Sequence, residues 1–224
     1  LVIGTYDRGS TICGLPAMNA CRRITKENGL QEESVLSLLE DREGNLWIGL
    51  NYGISQLVTE KFASFTEQEG LVNNTVYAVF PDGEDSIWFG TFRGVSRLRF
   101  DGQTGAPQWT HLRKGENLPS DEVWDILRDR GDRLWIGTSS GLCLYSEVSG
   151  CHVFTTRDGL VDNYILDMYE DAAGNLWLGT GGGVSMVTAA SLGLRPHFKN
   201  YTPAEGLPAK NVYAVTEDRQ GRLW

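Results

Sequence analysis

The seven residues GNLWIGL at 44–50 return almost unchanged as GNLWLGT at 174–180. The Trp in that phrase belongs to a series, Trp47, Trp88, Trp135, Trp177 and Trp224, spaced by 41, 47, 42 and 47 residues. Three further anchors keep fixed offsets from it. Six residues before each Trp stands an Asp: Asp41, Asp82, Asp129, Asp171 and Asp218. Twelve before stands a β-branched residue: Val35, Val76, Val123, Ile165 and Val212. Five before that stands Leu30, Leu71, Leu118, Leu160 or Leu207. A period of 40 to 50 residues confines the chain to solenoids, propellers and arrays, because each unit must bury its apolar face against the next.

Within each period the pattern is that of strands. Runs such as NVYAVTED and TVYAVFPD are followed by an Asp and Gly-bearing turn, then by LWIG or IWFG, a tight Gly turn (TSSG, TFRG, TGGG), and third and fourth strands such as LCLYS and HVFTT. No segment sustains a helical period, which removes the helical solenoids. The fold expected is all-β, a β-propeller of four-stranded antiparallel blades with five repeats present, one domain or fragment over residues 1–224 and part of a wheel of about seven blades. The first and last residues fall in the same phase, with Val2 in the Trp place, so the sequence reads as an excerpt whose targeting and membrane segments lie outside it.

The stretches GLVNNTVYAVFPDGEDSIWFGT, NLPSDEVWDILRDRGDRLWIGT, GLVDNYILDMYEDAAGNLWLGT and GLPAKNVYAVTEDRQGRLW resemble the two-component regulator propeller repeat. The resemblance covers essentially the whole chain. It implies seven-bladed propellers, often in tandem, serving as the extracytoplasmic sensor of bacterial hybrid histidine kinases and some diguanylate cyclases. It further implies a periplasmic location, a signal such as an oligosaccharide, further blades or domains of the same parent protein, and a kinase or cyclase output outside this chain. An Asp-x-x-Gly-x-Leu-Trp spacing at Asp41, Asp171 and Asp218 is similar to the Asp-box of sialidase-type propellers, read here as a shared turn solution.

A net charge of −9 repels phosphate backbones, and no Lys/Arg block interleaved with aromatics is present, so nucleic acid is excluded as a partner. No G-x-S-x-G elbow, H-E-x-x-H helix or phosphate loop occurs, and neither a cofactor nor a metal is expected. His111, His152 and His197 read as surface residues of outer strands. The repeating Trp residues read as packing between blades, and the repeating Asp residues as acceptors of backbone N–H groups in turns.

The ligand face is expected where fourth-to-first connections and second-to-third turns open together. Three residues after the repeating Leu come Glu33, Asn74, Asp121, Asn163 and Lys210, with Tyr164 beside them. The Gly turns add Asn51, Tyr52, Phe92 and Arg93. Two residues after the β-branched anchor, where other copies carry Ser37, Ala78 and Ala214, stand Asp125 and Asp167. Unpaired acids near the axis are costly. They read either as ligand or ion contacts or as hydrogen bonds to the neighbouring blade, the latter favoured. A propeller lyase or glycosidase using them is the rival to a sensor, and a protein-interaction scaffold or homodimer the third reading. Cys13 and Cys21, like Cys143 and Cys151, are eight apart in the same hairpin of different blades. Facing places there suit a disulfide worth about 2 to 3 kcal/mol and an oxidising compartment, with four free thiols the alternative.

Overall fold

The computed structural model describes residues 1–14, 20–58, 61–83, 86–193 and 195–224. Its packing divides into two compact units, Leu1–His111 and Leu112–Trp224. In the first unit, β1 (Val2–Gly4), β2 (Ser10–Cys13) and β3 (Cys21–Ile24) form a three-stranded sheet. Next come β4 (Val35–Glu40), β5 (Leu46–Leu50), β6 (Ile54–Val58) and β7 (Lys61–Phe65), then β8 (Val76–Asp82), β9 (Ser86–Thr91), β10 (Gly94–Phe100) and β11 (Pro107–Leu112), each set a four-stranded sheet in chain order. The second unit holds two more such sheets: β12 (Val123–Arg128), β13 (Leu134–Thr138), β14 (Gly141–Ser146) and β15 (Gly150–Phe154); then β16 (Ile165–Glu170), β17 (Leu176–Thr180), β18 (Gly183–Val187) and β19 (Phe198–Tyr201). Every described pairing between these strands is antiparallel and joins chain neighbours, as propeller blades require.

The seams between blades explain two of the anchors together. The Gly of LWIG comes opposite the next blade's β-branched anchor, and a Cβ on Gly137 would lie 3.0 Å from Ile165 Cγ2, while one on Gly179 would lie 2.7 Å from the Val212 carbonyl. The small residue is therefore a hole and the β-branched one its knob, and adjacent sheets approach closely only because of this pair. Around it the repeating Leu and Trp close the core: Leu71, Val76, Trp47 and Phe89 in one seam, Leu160, Ile165, Trp135 and Leu178 in another. A fully buried indole removes about 200 Å² from water, roughly 5 kcal/mol of transfer energy before ordering costs.

Each described first strand carries a β-bulge directly after its anchor, between Val35 and Ser37, Val76 and Ala78, Val123 and Asp125, and Ile165 and Asp167. The bulge turns the second residue toward the seam. The fifth copy departs from expectation. NVYAVTED forms no strand ladder: Val212 N–H reaches the Thr180 carbonyl (3.0 Å), Val215 N–H reaches the Asp167 carboxylate (2.6 Å), and Thr216 and Trp224 exchange backbone bonds beside the bridge Glu217–Leu223. Its anchor seats in a seam, but no third strand flanks it among the described residues.

Both cysteine pairs are bonded. Cys13 faces Cys21 directly, with Cα atoms 4.1 Å apart. The second pair is not a facing one, because Cys143 stands opposite Val153 and Cys151 opposite Tyr145, so the bridge runs diagonally over 5.4 Å between Cα atoms.

Candidate functional site

The repeating Asp does more than receive turn amides. In all five copies its Oδ2 accepts the indole N–H of the Trp six residues on, at 2.8, 2.7, 2.8, 2.8 and 3.0 Å. At Asp129 the other oxygen takes the N–H groups of Gly131 and Arg133, and Arg133 Nε adds a 2.7 Å contact to Oδ2. At Asp41 and Asp171 burial pushes the carboxyl up, but the indole, Asn and backbone donors outweigh it and hold the group below its ordinary range. Asp218, half-buried and bonded to the Trp224 indole and the Arg222 backbone, is held down at about 2. These residues are wholly occupied with fixing the turn and the Trp.

The connections between blades are equally structural. Thr25, Thr66, Thr155 and Thr202 each open a single 3-10 turn through a capping box closed by Asn28, Glu69, Asp158 and Glu205, and each turn ends on a left-handed glycine. The first turn residue has its N–H pointing outward, and the candidate seven places later receives it. Glu33 accepts from Lys26 N at 3.3 Å, Asn74 from Glu67 N at 2.9 Å, Asp121 from Lys114 N at 2.7 Å and Asn163 from Thr156 N at 2.8 Å. In the fifth copy the equivalent donor position is Pro203, which has no N–H, and the acceptor position holds Lys210. Where the donor is missing, so is the acceptor.

Asp125 and Asp167 are seam staples. Asp125 accepts from Ile126 N at 2.8 Å and from Met168 N of the next blade at 2.7 Å. Asp167 accepts from Val215 N at 2.6 Å. Burial, then the charge of Asp167, push Asp125 up to about 8; burial also raises Asp167. The equivalent Ser37 hydroxyl is buried and finds no partner among the described residues.

Beside these scaffold bonds stands a rim on the Leu1–His111 unit. Its turns and connections are laced by main-chain bonds: Gly9 N to the Glu33 carbonyl (2.9 Å), Asn51 N to Ser34 (3.1 Å), Gly53 N to Asn74 (2.6 Å) and Phe92 N to Thr75 (3.1 Å). The turn threonines close the tips, Thr5 on Gly9 and Thr91 on Gly94, at 2.8 and 2.7 Å. This lacing brings six predicted residues, Glu33, Asn51, Tyr52, Asn74, Phe92 and Arg93, onto one edge. Tyr52 and Phe92 stand 51% and 44% exposed, and Asn51 and Arg93 are exposed beside them. Tyr6, 69% exposed, belongs with them. Sequence reasoning missed it, although GTYDRG at 4–9 aligns with GTFRG at 90–94.

In the second unit the corresponding tips are Ser139, Ser140, Gly181 and Gly182. Tyr164 instead lies against Trp124, a bulge residue, with ring centroids 5.5 Å apart. Lys210 is exposed. Asp121, Asn163, Asp125 and Asp167 contribute bonds to the scaffold there, as above. His111 departs from a free surface role, its Nδ1 lying 3.1 Å from the buried Ser96 hydroxyl, which also receives Val72 N.

The family model for the two component regulator propeller matches residues 29–52, 70–93, 117–140, 159–182 and 206–224. Among curated proteins there is no match. Among solved structures, the extracellular domain assigned to the hybrid two component system BT3049 of B. thetaiotaomicron is similar over 100% of this chain, at 28% identity and a TM-score of 0.81. The match covers 29% of that structure, so the present chain spans less than a third of its length. The extracellular domain assigned to BT4673 of the same organism (22% identity, TM-score 0.56, 97% of this chain and 32% of that one) shares the fold. So does virginiamycin B lyase from Staphylococcus aureus (12% identity, TM-score 0.70, 96% of this chain and 69% of that one).

Proposed function

Since this chain belongs to the two component regulator propeller family, we propose that it is the extracytoplasmic, periplasmic ligand-sensing part of a bacterial signal-transduction protein and carries no reaction of its own. It binds a signal such as an oligosaccharide and passes the event to a kinase or cyclase output outside this chain. The observation that supports this most is the division of labour among its residues. The repeated acids and indoles are consumed in holding blades together, whereas Tyr6, Tyr52, Phe92 and Arg93 stand on a rigid rim with their side chains free for contact. Flat aromatic faces set beside amide and guanidinium groups are what a neutral or weakly charged polar ligand requires. Signalling follows only if the ligand favours one arrangement of the sensor over another.

The enzymatic alternative rests on Asp125 and Asp167, and the likeness to a lyase is one of fold alone. Isothermal calorimetry against soluble polysaccharide fragments separates the readings. Binding that Tyr52→Ala and Phe92→Ala abolish, while Asp125→Asn leaves it intact and no product forms, is the result expected. Turnover lost in Asp125→Asn would replace the sensor with an enzyme.

A further inference from the structure

The seam between the β4–β7 and β8–β11 sheets lies inside the first unit, between two complete blades, and its end at the Asp turns encloses a cavity of about 250 Å³. Trp47, Leu98 and Phe100 supply apolar walls, Asp41, Glu43 and Gln56 polar ones, and no Lys or Arg lines it. Trp47 and Leu98 are buried, whereas Phe100 is 44% exposed and Glu43 is exposed, so these two mark the mouth.

The closed seam of the second unit explains why this space exists. There Glu170 accepts Arg130 N across the seam at 3.0 Å, and Arg133 spans it, Nη1 donating to the Leu192 carbonyl at 2.9 Å. Leu144, opposite Trp135, packs against the core beneath. The same repeat positions hold Pro81, Asn45 and Gln56 in the first unit. The Pro81 side chain offers no acceptor, Asn45 turns back onto Asp41 Oδ2 (3.0 Å), and the Gln56 side chain makes no hydrogen bond among the described residues. Neither tie forms, and the seam end stays open.

The other Asp–Trp clasps show what such a space accepts. Arg133 Nε lies 2.7 Å from Asp129 Oδ2, and Arg222 Nε lies 2.7 Å from Asp218 Oδ2. Arg97 reaches Asp82 at 3.1 Å with its guanidinium carbon 4.9 Å from the centroid of the Trp88 ring. Arg97 stands opposite Trp88 just as Gln56 stands opposite Trp47. Two repeat positions thus deliver a guanidinium elsewhere, and in this blade both are amides. The Glu43 carboxylate pairs with no cation among the described residues, so the cavity holds two acids without a counter-charge. We infer that it binds a guanidinium group on an aliphatic stem, brought by a ligand from outside the chain. The head lies between Glu43 and Gln56 beside the Asp41–Trp47 clasp, and the stem passes Leu98 to Phe100. The volume is below the roughly 300 to 1,000 Å³ of drug-sized sites and suits one arginine-sized group. It opens at the ends of β5 and β9 away from Tyr52 and Phe92, so this site is independent of the rim.

Isothermal calorimetry with butylguanidinium tests this on the chain as it stands. The expected result is saturable binding with a Kd of about 1 mM or tighter, and at least about tenfold weaker binding of butylurea, its uncharged isostere. Glu43→Gln weakens binding about two- to fivefold at an unchanged melting temperature. Gln56→Arg supplies the guanidinium from within, as Arg97 does in the next blade, so it abolishes binding and raises the melting temperature. A capped Ala-Arg-Ala peptide separates the two sources of the group. Binding at least about tenfold tighter than butylguanidinium assigns the site to an arginine of a protein segment, and anything weaker assigns it to a small guanidinium compound. Butylurea binding as well as butylguanidinium, no saturation below about 10 mM, or full affinity retained in Gln56→Arg each overturns the proposal.

Discussion

Replacing Asp129 by alanine removes one carboxylate from four donors, and the same motif at Asp218 gives the internal control. The Trp135 indole is 0% exposed, so its N–H would be stranded without water, at a cost of about 1 to 3 kcal/mol. Arg133, with about a third of its side chain exposed, recovers part of its lost bond from solvent, and so do the two turn amides, adding together about 1 kcal/mol. Asp129→Ala should therefore destabilise by roughly 3 kcal/mol. At Asp218 the indole partner is 71% exposed, and water replaces the carboxylate, so Asp218→Ala should cost much less than Asp129→Ala. Urea unfolding of both variants, with Trp135→Phe completing a double-mutant cycle at Asp129, measures the difference; a coupling of about 1 to 3 kcal/mol is expected. Equal losses at the two sites, or no coupling, would show that the clasp acts through turn geometry alone and not through the buried indole.

Three further outcomes follow from the seams and caps. Gly137→Ala places a methyl 3.0 Å from Ile165 and should cost about 1 to 3 kcal/mol by thermal or urea unfolding, a loss that Ile165→Ala relieves in part so that the pair is less than additive. The native state holds on Asp125 a proton that the unfolded chain has already released, so stability falls as pH rises from the ordinary carboxylate range to about 8, Asp167 acting in the same direction. Urea midpoints across that range should show the fall in the parent and a smaller one in Asp125→Asn; identical profiles would refute it. Lys210→Asn alone should leave stability unchanged, whereas on a Pro203→Ala background it should add about 1 kcal/mol by restoring the cap, as read from melting curves.

The repeat made the fold legible because four anchors recur in register, and each answers to a contact that every blade must make. What escaped was contact between repeats. The β-branched anchor and the Gly were both visible as periodic letters, but only three-dimensional adjacency joins the Gly of one period to the anchor of the next. The indole bond to Asp was hidden for a similar reason, since a six-residue offset across a turn names no partner. By contrast the Thr-x-x-Asn/Asp/Glu caps are legible in the sequence, and with three of them the structural duty of Glu33, Asn74 and Asn163. The rim tips stand out in the sequence because they vary where the scaffold repeats. Tyr6 was overlooked because its blade lacks the Trp that set the alignment. Cys143–Cys151 was paired by spacing, yet its diagonal register depends on a hairpin length that spacing alone does not fix.

The main-chain lacing of the rim has an evolutionary consequence. Its bonds run from amide to carbonyl, so the tip side chains take no part in them. Two or three codons per turn can then drift without loosening a blade, and each turn can change independently of its neighbours. A lineage could change what such a rim presents by rewriting tips one at a time, keeping a folded protein at every step.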